Sequence, residues 1–407
     1  MKLLLINSVC GITSTGRIVK DIYEAFVKEG NSAKIAYGER SYDNDETDLE
    51  IIPIGSKADN YFHAIMTRIT DKHGLFSIMA TKRFIKKLDE YKPDIVHIHN
   101  LHGYYINYEL LFKYLKEHEN IRVVWTLHDC WSFTGHCANF TEQKCDKWKE
   151  KCYDCPLKKT YPASLLWDNS SNNYFRKKKA FTGVKDMTVV VPSKWLESFV
   201  FESFLKDYPV KVINNGVDVT GFYPTTSDFK AQYGIEGRKI ILGVANVWVP
   251  NKGLDYFVEL ANIYKEKGLD DYRIVIVGRI PRDDFELPDN MIYVAHTDSK
   301  VELNHIYNAA DVLVSFSSEE TFGMTVVEAM AAGTYPVVMK NTACEEIVDM
   351  TIGTAVDRDA LEVFKCLEGI FSSEKNSLSR EEIHNHAAKF SREEYMKKLF
   401  EIYKKQD

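Results

Sequence analysis

The amino-acid sequence predicts an α/β protein with two doubly wound domains, each built on a parallel sheet. The chain has 407 residues, a length that suits two or three domains of ordinary size. In both halves, short and uniformly apolar β-branched runs alternate with helical patterns, which is typical of parallel sheets covered on both faces. Residues 214–224 are rich in Asn, Gly and Pro and separate the two series, so we expect the interdomain linker there.

Six strands are predicted in the first half and five in the second. Those of the first half are residues 2–8, 33–37, 94–99, 121–126, 187–191 and 210–213. Those of the second half are residues 238–247, 272–278, 291–295, 311–316 and 335–339. Helical patterns lie between several of them, for example at 17–30, 106–118 and 254–268. In such sheets ligands bind beyond the carboxyl ends of the strands, so functional residues are expected at those ends.

Composition and charge exclude several classes of protein. The chain is 45% hydrophobic and carries 52 basic against 59 acidic residues, a net charge of −7. This composition excludes wholesale disorder and argues against a dedicated nucleic-acid binder. No apolar stretch approaches the roughly 18 residues of a membrane span, and the first apolar run is too short for a signal peptide. We expect a cytoplasmic protein, whose basic run at 176–179 is a solvated helix face rather than an anionic-membrane contact.

The first predicted strand runs into a glycine-containing turn from Gly11 to Arg17. Glycines let a backbone approach a ligand closely, and the start of the following helix favours an anion. The spacing G-x4-G followed by Arg-Ile matches neither a P-loop nor the pattern G-x-G-x-x-G. The segment is therefore either a plain strand-to-helix turn or a ligand-binding loop.

Histidines end two of the predicted strands. His97 and His99 lie two residues apart and share a face, and His128-Asp129 ends the next strand. A catalytic zinc ion is disfavoured, because no further ligand follows at a metalloenzyme spacing such as HExxH. Two alternatives stay open: the histidines cap strand ends, or they contact a substrate hydroxyl.

Residues 317–339 are the most informative segment. The loop after the strand at 311–316 carries Glu320, and the helix that begins after Gly323 carries Glu328, eight positions later. The free N–H groups and the dipole at that helix start favour an anion. Two carboxylates flanking an anion site suit a nucleotide sugar, which has phosphates in the middle and hydroxyls at both ends. The alternative is that Glu320 is a solvated loop residue and Glu328 a helix-surface residue.

This segment, Glu320-Thr-Phe-Gly…Glu328-Ala-Met-Ala-Ala-Gly, resembles the E-x7-E motif of retaining GT-B glycosyltransferases of the family-4 type. Further similarities to these enzymes follow in order along nearly the whole chain. They are Thr15-Gly16-Arg17, Thr126-Leu-His128-Asp129, Val191-Pro-Ser193, Asn215-Gly216-Val217-Asp218, Asn251-Lys252-Gly253-Leu254 and Tyr307-x-Ala-Ala-Asp311. The resemblance implies a GT-B fold, with two Rossmann-like domains facing a central cleft. It also implies that a last helix crosses back to the N-terminal domain.

The resemblance implies roles residue by residue. Glu328 would hold the donor ribose, Glu320 would contact the donor sugar, and Lys252 with the amides after Gly323 would hold the diphosphate. The implied catalytic residues are Glu320, His128 and Lys252. The implied donor-binding residues are Glu328, Gly323, Met324, Thr325, Arg279, Asn246, Gly16 and Arg17. The implied acceptor-side residues are His97, His99 and Asp129, and no catalytic metal is implied.

The chain departs from the family at one position. Six residues before Lys252, where the family usually has an arginine, this sequence has Asn246. An asparagine amide cannot replace a guanidinium on a diphosphate. Either Lys252 suffices, or Arg279, just after the strand at 272–278, takes part.

Four cysteines lie within 19 residues, at Cys137, Cys145, Cys152 and Cys155. Their spacing, ending in CxxC, suits a structural zinc site, with Cys130 and His136 as spare ligands. A metal would also explain how a polar, irregular segment folds. Free thiols and a redox disulfide between Cys152 and Cys155 stay open as alternatives. The stretch resembles a cysteine-bearing insertion in some polysaccharide-assembly glycosyltransferases.

We therefore predict a retaining glycosyltransferase that uses a UDP- or GDP-linked sugar and a saccharide or lipid-linked saccharide acceptor. The expected domains are an acceptor domain at 1–216 with an insertion at 130–156, a donor domain at 217–388 and a final helix at 389–407. No nucleic-acid partner is expected, whereas peripheral contact with the cytosolic membrane face is compatible with a lipid-linked acceptor. The rival hypotheses are a non-catalytic nucleotide-sugar-binding protein and a sugar epimerase or phosphorylase on the same scaffold. A dehydrogenase is disfavoured by the missing G-x-G-x-x-G.

Overall fold

The computed structural model describes residues 1–40, 48–281, 286–348, 351–372 and 378–404. The chain divides into two compact units, one formed by Met1–Asn214 with Met396–Asp407 and the other by Asn215–Tyr395. The junction between them falls in the Asn-Gly segment where the linker is expected. The final helix belongs to both units, because its residues up to Tyr395 group with the second and those from Met396 with the first.

The first unit is built on a seven-stranded parallel sheet. Its strands are β1 Lys2–Val9, β2 Ser32–Arg40, β3 Ile51–Pro53, β4 Ile95–Ile98, β5 Arg122–Thr126, β6 Met187–Val191 and β7 Val210–Val212. Its helices are α1 Thr13–Lys28, α2 Lys57–Thr70, α3 Ile78–Tyr91, α4 Tyr108–Glu117, α5 Ser170–Phe181 and α6 Lys194–Glu202. The strand order is β3-β2-β1-β4-β5-β6-β7, so the direction of growth reverses between β1 and β4. A doubly wound sheet binds ligands at such a switch point.

The second unit repeats this plan with six parallel strands. The strands are β8 Lys239–Val247, β9 Tyr272–Arg279, β10 Met291–Val294, β11 Val312–Ser315, β12 Tyr335–Met339 and β13 Thr354–Val356. The helices are α7 Phe229–Gln232, α8 Leu254–Glu266, α9 Lys300–Ala309, α10 Met324–Ala331, α11 Ala360–Ser372 and α12 Arg380–Ala387, and α13 Arg392–Tyr403 follows. The order is β10-β9-β8-β11-β12-β13, which places the switch point between β8 and β11.

Both faces of the second sheet are buried. Ile240 and Leu242 point into one apolar cluster, and Ile241 between them points into another on the opposite face. This alternation explains why the strand has no polar face in the sequence, because successive side chains of a strand point to opposite sides and helices cover both. The prediction of two doubly wound parallel sheets is therefore confirmed.

Aromatic side chains hold the predicted insertion at 130–156 in the core of the first unit. Apart from short 3-10 segments at Trp131–Phe133 and Lys147–Lys149, its described backbone is irregular. Trp148 is buried between Phe133 and Phe140, with ring centroids 5.2 and 5.0 Å away. A hydrophobic aromatic cluster thus supplies the cohesion that the sequence suggested a metal would supply.

The basic run at 176–179 is not a solvated face throughout. Lys177 is buried, and its Nζ donates to the carbonyls of Trp131 and Thr134 at 2.7 and 3.0 Å. Arg176 forms a two-pronged ion pair with Glu109. The prediction was wrong for Lys177, because the insertion supplies carbonyl acceptors that a linear pattern does not display.

Among the described residues, no helix combines the length and the apolar character that crossing a membrane would require.

Candidate active site

The candidate active site lies at the switch point of the second sheet, where two loops leave β8 and β11. The loop after β8 carries Lys252, and the loop after β11 carries Glu320. The Ser318 N–H donates to the carbonyl of Asn251 at 2.9 Å and joins the two loops. Gly253, at φ 76°, allows this approach, because a Cβ there would lie only 2.6 Å from the Cβ of Phe316.

Lys252 and Glu320 form an ion pair at the centre of this site. The Lys252 Nζ donates to Glu320 Oε1, which also accepts from the Ser317 hydroxyl at 3.2 Å. The two side chains are 28% and 20% exposed. Burial alone would lower the pKa of Lys252, but the adjacent carboxylate outweighs it and raises the pKa. The site therefore keeps a charged ammonium, of whose three N–H donors Glu320 needs only one.

The N-terminus of α10 opens beside this pair. Gly323 precedes the helix with φ 107°, and no side chain caps the helix start. A Cβ at Gly323 would lie 2.6 Å from Cys344 Sγ, so a side chain there would force this turn apart. Met324 and Thr325 occupy the first turn, where N–H groups have no partner within the helix. These amides and the helix dipole suit an anion.

Glu328 lies one turn further along α10. Its Oε2 accepts from the Tyr307 hydroxyl at 3.1 Å, and the Tyr307 carbonyl in turn accepts from Thr334. Burial, and secondarily Glu328, raises the pKa of Tyr307, which therefore stays a hydroxyl donor. This donor orients a half-buried carboxylate that is able to accept hydrogen bonds from a ligand's hydroxyl groups.

Asn246 and Arg279 both lie at the open ends of β8 and β9. The register of this pair shifts between Val244 and Val247, so that Val247 faces Arg279 and Asn246 falls in the irregular stretch. Both side chains are exposed. Arg279 thus lies opposite Val247, the residue after Asn246. The hypothesis that Arg279 takes the place of the missing arginine requires such a position.

The histidines of the first unit form a stack at its own switch point. His99 Nδ1 lies 2.9 Å from His128 Nε2, and the His97 and His99 ring centroids are 4.2 Å apart. His97 also hydrogen-bonds Tyr403 at 2.5 Å and Thr126 at 2.7 Å. Burial lowers the pKa of His97 to about 3 and that of His128 to about 4. Both ring nitrogens of His97 thus hydrogen-bond to protein groups, and its side chain is buried, while its role on the acceptor side stays a prediction.

A carboxylate–imidazole pair lies next to His128, and only one of its members, Asp129, was predicted from the sequence. Asp129 Oδ2 is 2.6 Å from His102 Nε2, and Asp129 Oδ1 accepts from the Trp131 N–H at 2.8 Å. Burial opposes the charge of Asp129, but His102 and this N–H outweigh it and lower the pKa. The rings of Tyr161 and His102 meet edge to face, with centroids 5.6 Å apart. His102 follows its strand by four residues, and no motif in the sequence marks it.

The turn from Gly11 to Arg17 closes on itself. The Gly11 N–H donates to the Gly16 carbonyl at 3.0 Å, and Asn7 donates to the carbonyl of Val9 at 2.8 Å. No side chain caps α1, and Arg17 is exposed. The turn thus leaves the start of α1 open at the switch point of the first sheet.

Comparison with known protein families identifies the chain. The profile described as Glycosyltransferase Family 4 matches residues 15–220, more than half of the chain, and the profile described as Glycosyl transferases group 1 matches residues 225–390. The chain belongs to glycosyltransferase family 4. The resemblance inferred from the E-x7-E segment is thereby confirmed for the family.

One curated relative is the Escherichia coli K12 protein WcaC, described as a colanic acid biosynthesis glycosyl transferase. It is 23% identical over 283 residues, which are 66% of this chain and 65% of WcaC. The chain thus spans slightly less than two thirds of the length of this relative.

Solved structures with the same architecture cover almost all of the chain. Sucrose-phosphate synthase from Thermosynechococcus elongatus has a TM-score of 0.71 at 17% identity, over 99% of this chain and 98% of that chain. Anabaena HepE, solved in complex with UDP and glucose, has a TM-score of 0.66 at 13% identity, over 99% of both chains. At these identities the similarity shows the fold alone, which is GT-B.

Among the residues that the structure describes, the four cysteines of the insertion do not form a group of metal ligands. Within the described ranges, no group of three or more His, Cys, Asp or Glu side chains is arranged to hold a metal ion. Cys137 and Cys155 share a hydrogen bond instead, and Cys152 accepts from the Gly135 N–H at 3.1 Å. The spare ligand His136 pairs with buried Asp71 at 2.5 Å. The contact between Cys137 and Cys155 also replaces the Cys152–Cys155 pair that the spacing suggested.

Cys155 should be the most reactive thiol of this cluster at neutral pH. The hydrogen bond from Cys137, which outweighs burial, and the nearby His136 lower the pKa of Cys155 to about 7. Since the thiolate is the nucleophile, we expect its alkylation rate with iodoacetamide to reach half its maximum near pH 7. Mass spectrometry of labelled peptides across pH 5.5 to about 9 measures this.

The matched variant is Cys137→Ala, which removes the stabilising donor and should move the midpoint to higher pH. A midpoint at or above the ordinary thiol value of about 8.5 in the unmodified protein would contradict the assignment. Protection of Cys155 until a chelator is added would point instead to a bound metal.

Proposed function

We propose that the protein is a retaining glycosyltransferase that moves a sugar from a nucleoside diphosphate donor to a hydroxyl acceptor. The observation that carries this proposal is the Lys252–Glu320 ion pair beside the open N-terminus of α10, with Glu328 one turn along the same helix. These groups offer, in order, a cation and amides for a diphosphate, a carboxylate for a sugar, and a carboxylate for ribose hydroxyls.

The electrostatic task of the site is to stabilise the departing diphosphate. Negative charge grows on the leaving phosphate as its bond to the anomeric carbon breaks. Lys252 and the first amides of α10 are already in place for that charge, and preorganised groups act most strongly in the transition state. In the proposed front-face substitution the acceptor oxygen bonds to the anomeric carbon on the side the phosphate leaves. The acceptor proton passes to the departing phosphate oxygen, so no enzyme nucleophile is needed.

On the acceptor side, we propose that His128 and Asp129 contact the acceptor hydroxyl. The low pKa of His128 keeps its ring neutral at pH 7, so it acts as a hydrogen-bonding group rather than as an acid. Asp129 stays ionised through its pair with His102 and can accept from a sugar hydroxyl. The donor carries uridine or guanosine diphosphate. UDP in the HepE structure supports testing uridine first. The colanic acid description of WcaC supports a saccharide acceptor in surface polysaccharide assembly.

Glu328→Ala provides the test of this function. Thermal unfolding with uridine, guanosine and thymidine diphosphates should show one diphosphate that stabilises the wild type, by about 2.7 kcal/mol at a hundredfold excess over Kd. The stabilisation should be lost in Glu328→Ala, because the ribose hydroxyls lose their acceptor. Tyr307→Phe, which removes only the donor that orients Glu328, should weaken it less.

The corresponding nucleotide sugars then test transfer. Donor consumption with retained anomeric configuration in the product, read by proton NMR coupling, is the expected result. Inverted configuration would contradict the retaining mechanism. The non-catalytic alternative is favoured by Asn246, and it predicts that the nucleotide sugar binds but is neither transferred nor hydrolysed.

A further inference from the structure

Helix α2 exposes an apolar stripe. Tyr61, Phe62, Ile65 and Ile69 are all exposed, Tyr61 by 71% of its surface. At 100° per residue these four positions fall within one arc of about 100°, so they share a single side of the helix. Of the residues of α2, only His63 and Thr67 are buried. The helix therefore turns aromatic and branched aliphatic side chains outward, which is unusual for a monomeric surface.

A second apolar group lies next to the end of α2. Leu165, Leu166 and Trp167 are consecutive and each about two-thirds exposed. Their loop is tied down, because the Leu165 N–H donates to the Arg68 carbonyl at 2.7 Å and the Ser164 hydroxyl donates to the Trp167 carbonyl at 2.7 Å. The backbone of this loop is thus fixed on α2 while its three side chains project outward.

The first turn of α3 extends the same region. Ile78 and Met79 are exposed, and Phe76, two residues before them, contacts Phe62 with ring centroids 6.2 Å apart. We call these nine residues the α2–α3 apolar surface. They are Tyr61, Phe62, Ile65, Ile69, Ile78, Met79, Leu165, Leu166 and Trp167.

Basic side chains accompany this surface. Residues 57–87 contain seven Lys and Arg against two Asp, whereas the whole chain carries a net charge of −7. Of the two acids, Asp71 is buried against His136, and Asp59 caps α2 and lies 3.7 Å from Arg83. On α3, Lys82 and Lys86 are exposed and continue the side that begins with Ile78 and Met79. Residues 156–167 add two lysines and no acid.

We propose that the α2–α3 apolar surface docks on a lipid bilayer that contains anionic lipids. Tyr and Trp are the side chains that favour the interfacial zone of a bilayer, and leucine and isoleucine insert below it. The surrounding lysines and arginines match the phosphates of anionic lipids. The chemistry thus fits a bilayer on both counts, apolar insertion and charge.

A second copy of the chain fits this surface less well. A two-fold dimer through the same patch would bring two basic surfaces together, and like charges across an interface are destabilising. Protein interfaces are also depleted in lysine, which is frequent here. The proposal goes beyond the proposed transfer reaction, and its test needs neither donor nor acceptor.

The test is co-sedimentation of the full chain with vesicles of phosphatidylcholine, with and without about a third of phosphatidylglycerol. We expect binding to the anionic vesicles, roughly tenfold weaker binding to neutral ones, and a fall of the anionic-vesicle binding to that neutral level at high salt. Trp167 adds a spectroscopic readout, because Trp125, Trp131, Trp148 and Trp248 are buried. Its fluorescence should shift to the blue on binding, and Trp167→Phe should keep binding but lose most of the shift.

Matched variants locate the contact. Leu166→Ser with Trp167→Ser should weaken binding at least about tenfold, whereas Val301→Ser, at an exposed apolar site in the second unit, should not. Lys158→Glu with Lys159→Glu should weaken binding to anionic vesicles, whereas Lys397→Glu with Lys398→Glu on α13 should not. Unchanged thermal unfolding verifies that each variant is folded.

Equal binding of the Leu166 and Trp167 double variant and the wild type, or no binding of the wild type, would overturn the proposal. Light scattering tests the alternative that a second copy of the chain covers this surface. A dimer in the wild type that becomes a monomer in the same double variant would assign the surface to self-association instead. Since vesicle binding is measured without a nucleotide, its failure would leave the proposed transfer reaction to its own test.

Discussion

Glu320→Gln should lower kcat about a hundredfold without weakening the affinity for free nucleoside diphosphate. The carboxylate is proposed to face the anomeric carbon, where positive charge develops only as the phosphate departs. Glutamine keeps the shape and an oxygen that can accept from Lys252, but it lacks the charge. The loss should therefore fall on the transition state and not on the diphosphate, which carries no donor sugar. Steady-state kinetics with the identified donor and calorimetry with the free diphosphate measure the two effects.

Glu381→Gln is the matched control for this change. Glu381 is an exposed carboxylate in the first turn of α12 and lies outside the candidate site. Its replacement by glutamine should therefore leave kcat and diphosphate affinity at wild-type values. Full kcat in Glu320→Gln would remove Glu320 from the chemistry. A loss of diphosphate affinity as large as the loss of kcat would assign it to ground-state binding instead.

Lys252→Ala should weaken diphosphate binding by roughly 2 kcal/mol or more, about thirtyfold in Kd, and leave nucleoside binding unchanged. Two effects add, because the diphosphate loses a charged donor and Glu320 loses its counter-ion next to an incoming anion. The double variant Lys252→Ala with Glu320→Ala should therefore bind diphosphate more tightly than Lys252→Ala alone. This recovery is the coupling that a double-mutant cycle isolates.

Calorimetry with uridine and with its diphosphate separates the contributions. If Lys252→Ala lowered the affinity for both ligands equally, the lysine would act through folding and not on the phosphates. If the double variant showed no recovery, the ion pair would not govern access of the anion to the site. Lys340→Ala, at an exposed ion pair in the same unit, controls for the loss of a surface lysine.

The sheets were predictable because their strands are apolar on both faces and because each stands between turn residues. All eleven predicted strands are present, two of them with both ends as predicted and the others with ends displaced by at most three residues. The two missed strands, Ile51–Pro53 and Thr354–Val356, are three residues long, lie at sheet edges and are only partly buried. Three residues seldom show the apolar run or the alternation from which a strand can be inferred, although the equally short edge strand β7 was predicted.

The E-x7-E motif of the candidate site was predictable from the sequence, but the ion pair between Lys252 and Glu320 was not. Glu320 and Glu328 are eight residues apart and share one loop and helix, whereas Lys252 reaches Glu320 across 68 residues of chain. The contacts of His102 and Lys177 were not predicted for the same reason. Their partners, the Asp129 carboxylate and the Trp131 carbonyl, come from other segments of the chain. The cysteine spacing predicts a structural zinc site, which stays a prediction, whereas the burial of Phe133, Phe140 and Trp148 in that segment was not predicted. The composition of a segment does not say which of its side chains will be buried.

The final helix imposes an order on synthesis. Its residues from Met396 onward belong to the first unit, where Tyr403 binds His97 and Phe400 packs on Phe26 at 5.8 Å. The 181 residues of the second unit, 215 to 395, are translated before them. At roughly 5–20 residues per second, the first unit waits about 10–40 s on the ribosome with this part of its core open. During that interval Phe26 and the edge of the histidine stack are available to chaperones, and a stalled ribosome would leave them exposed.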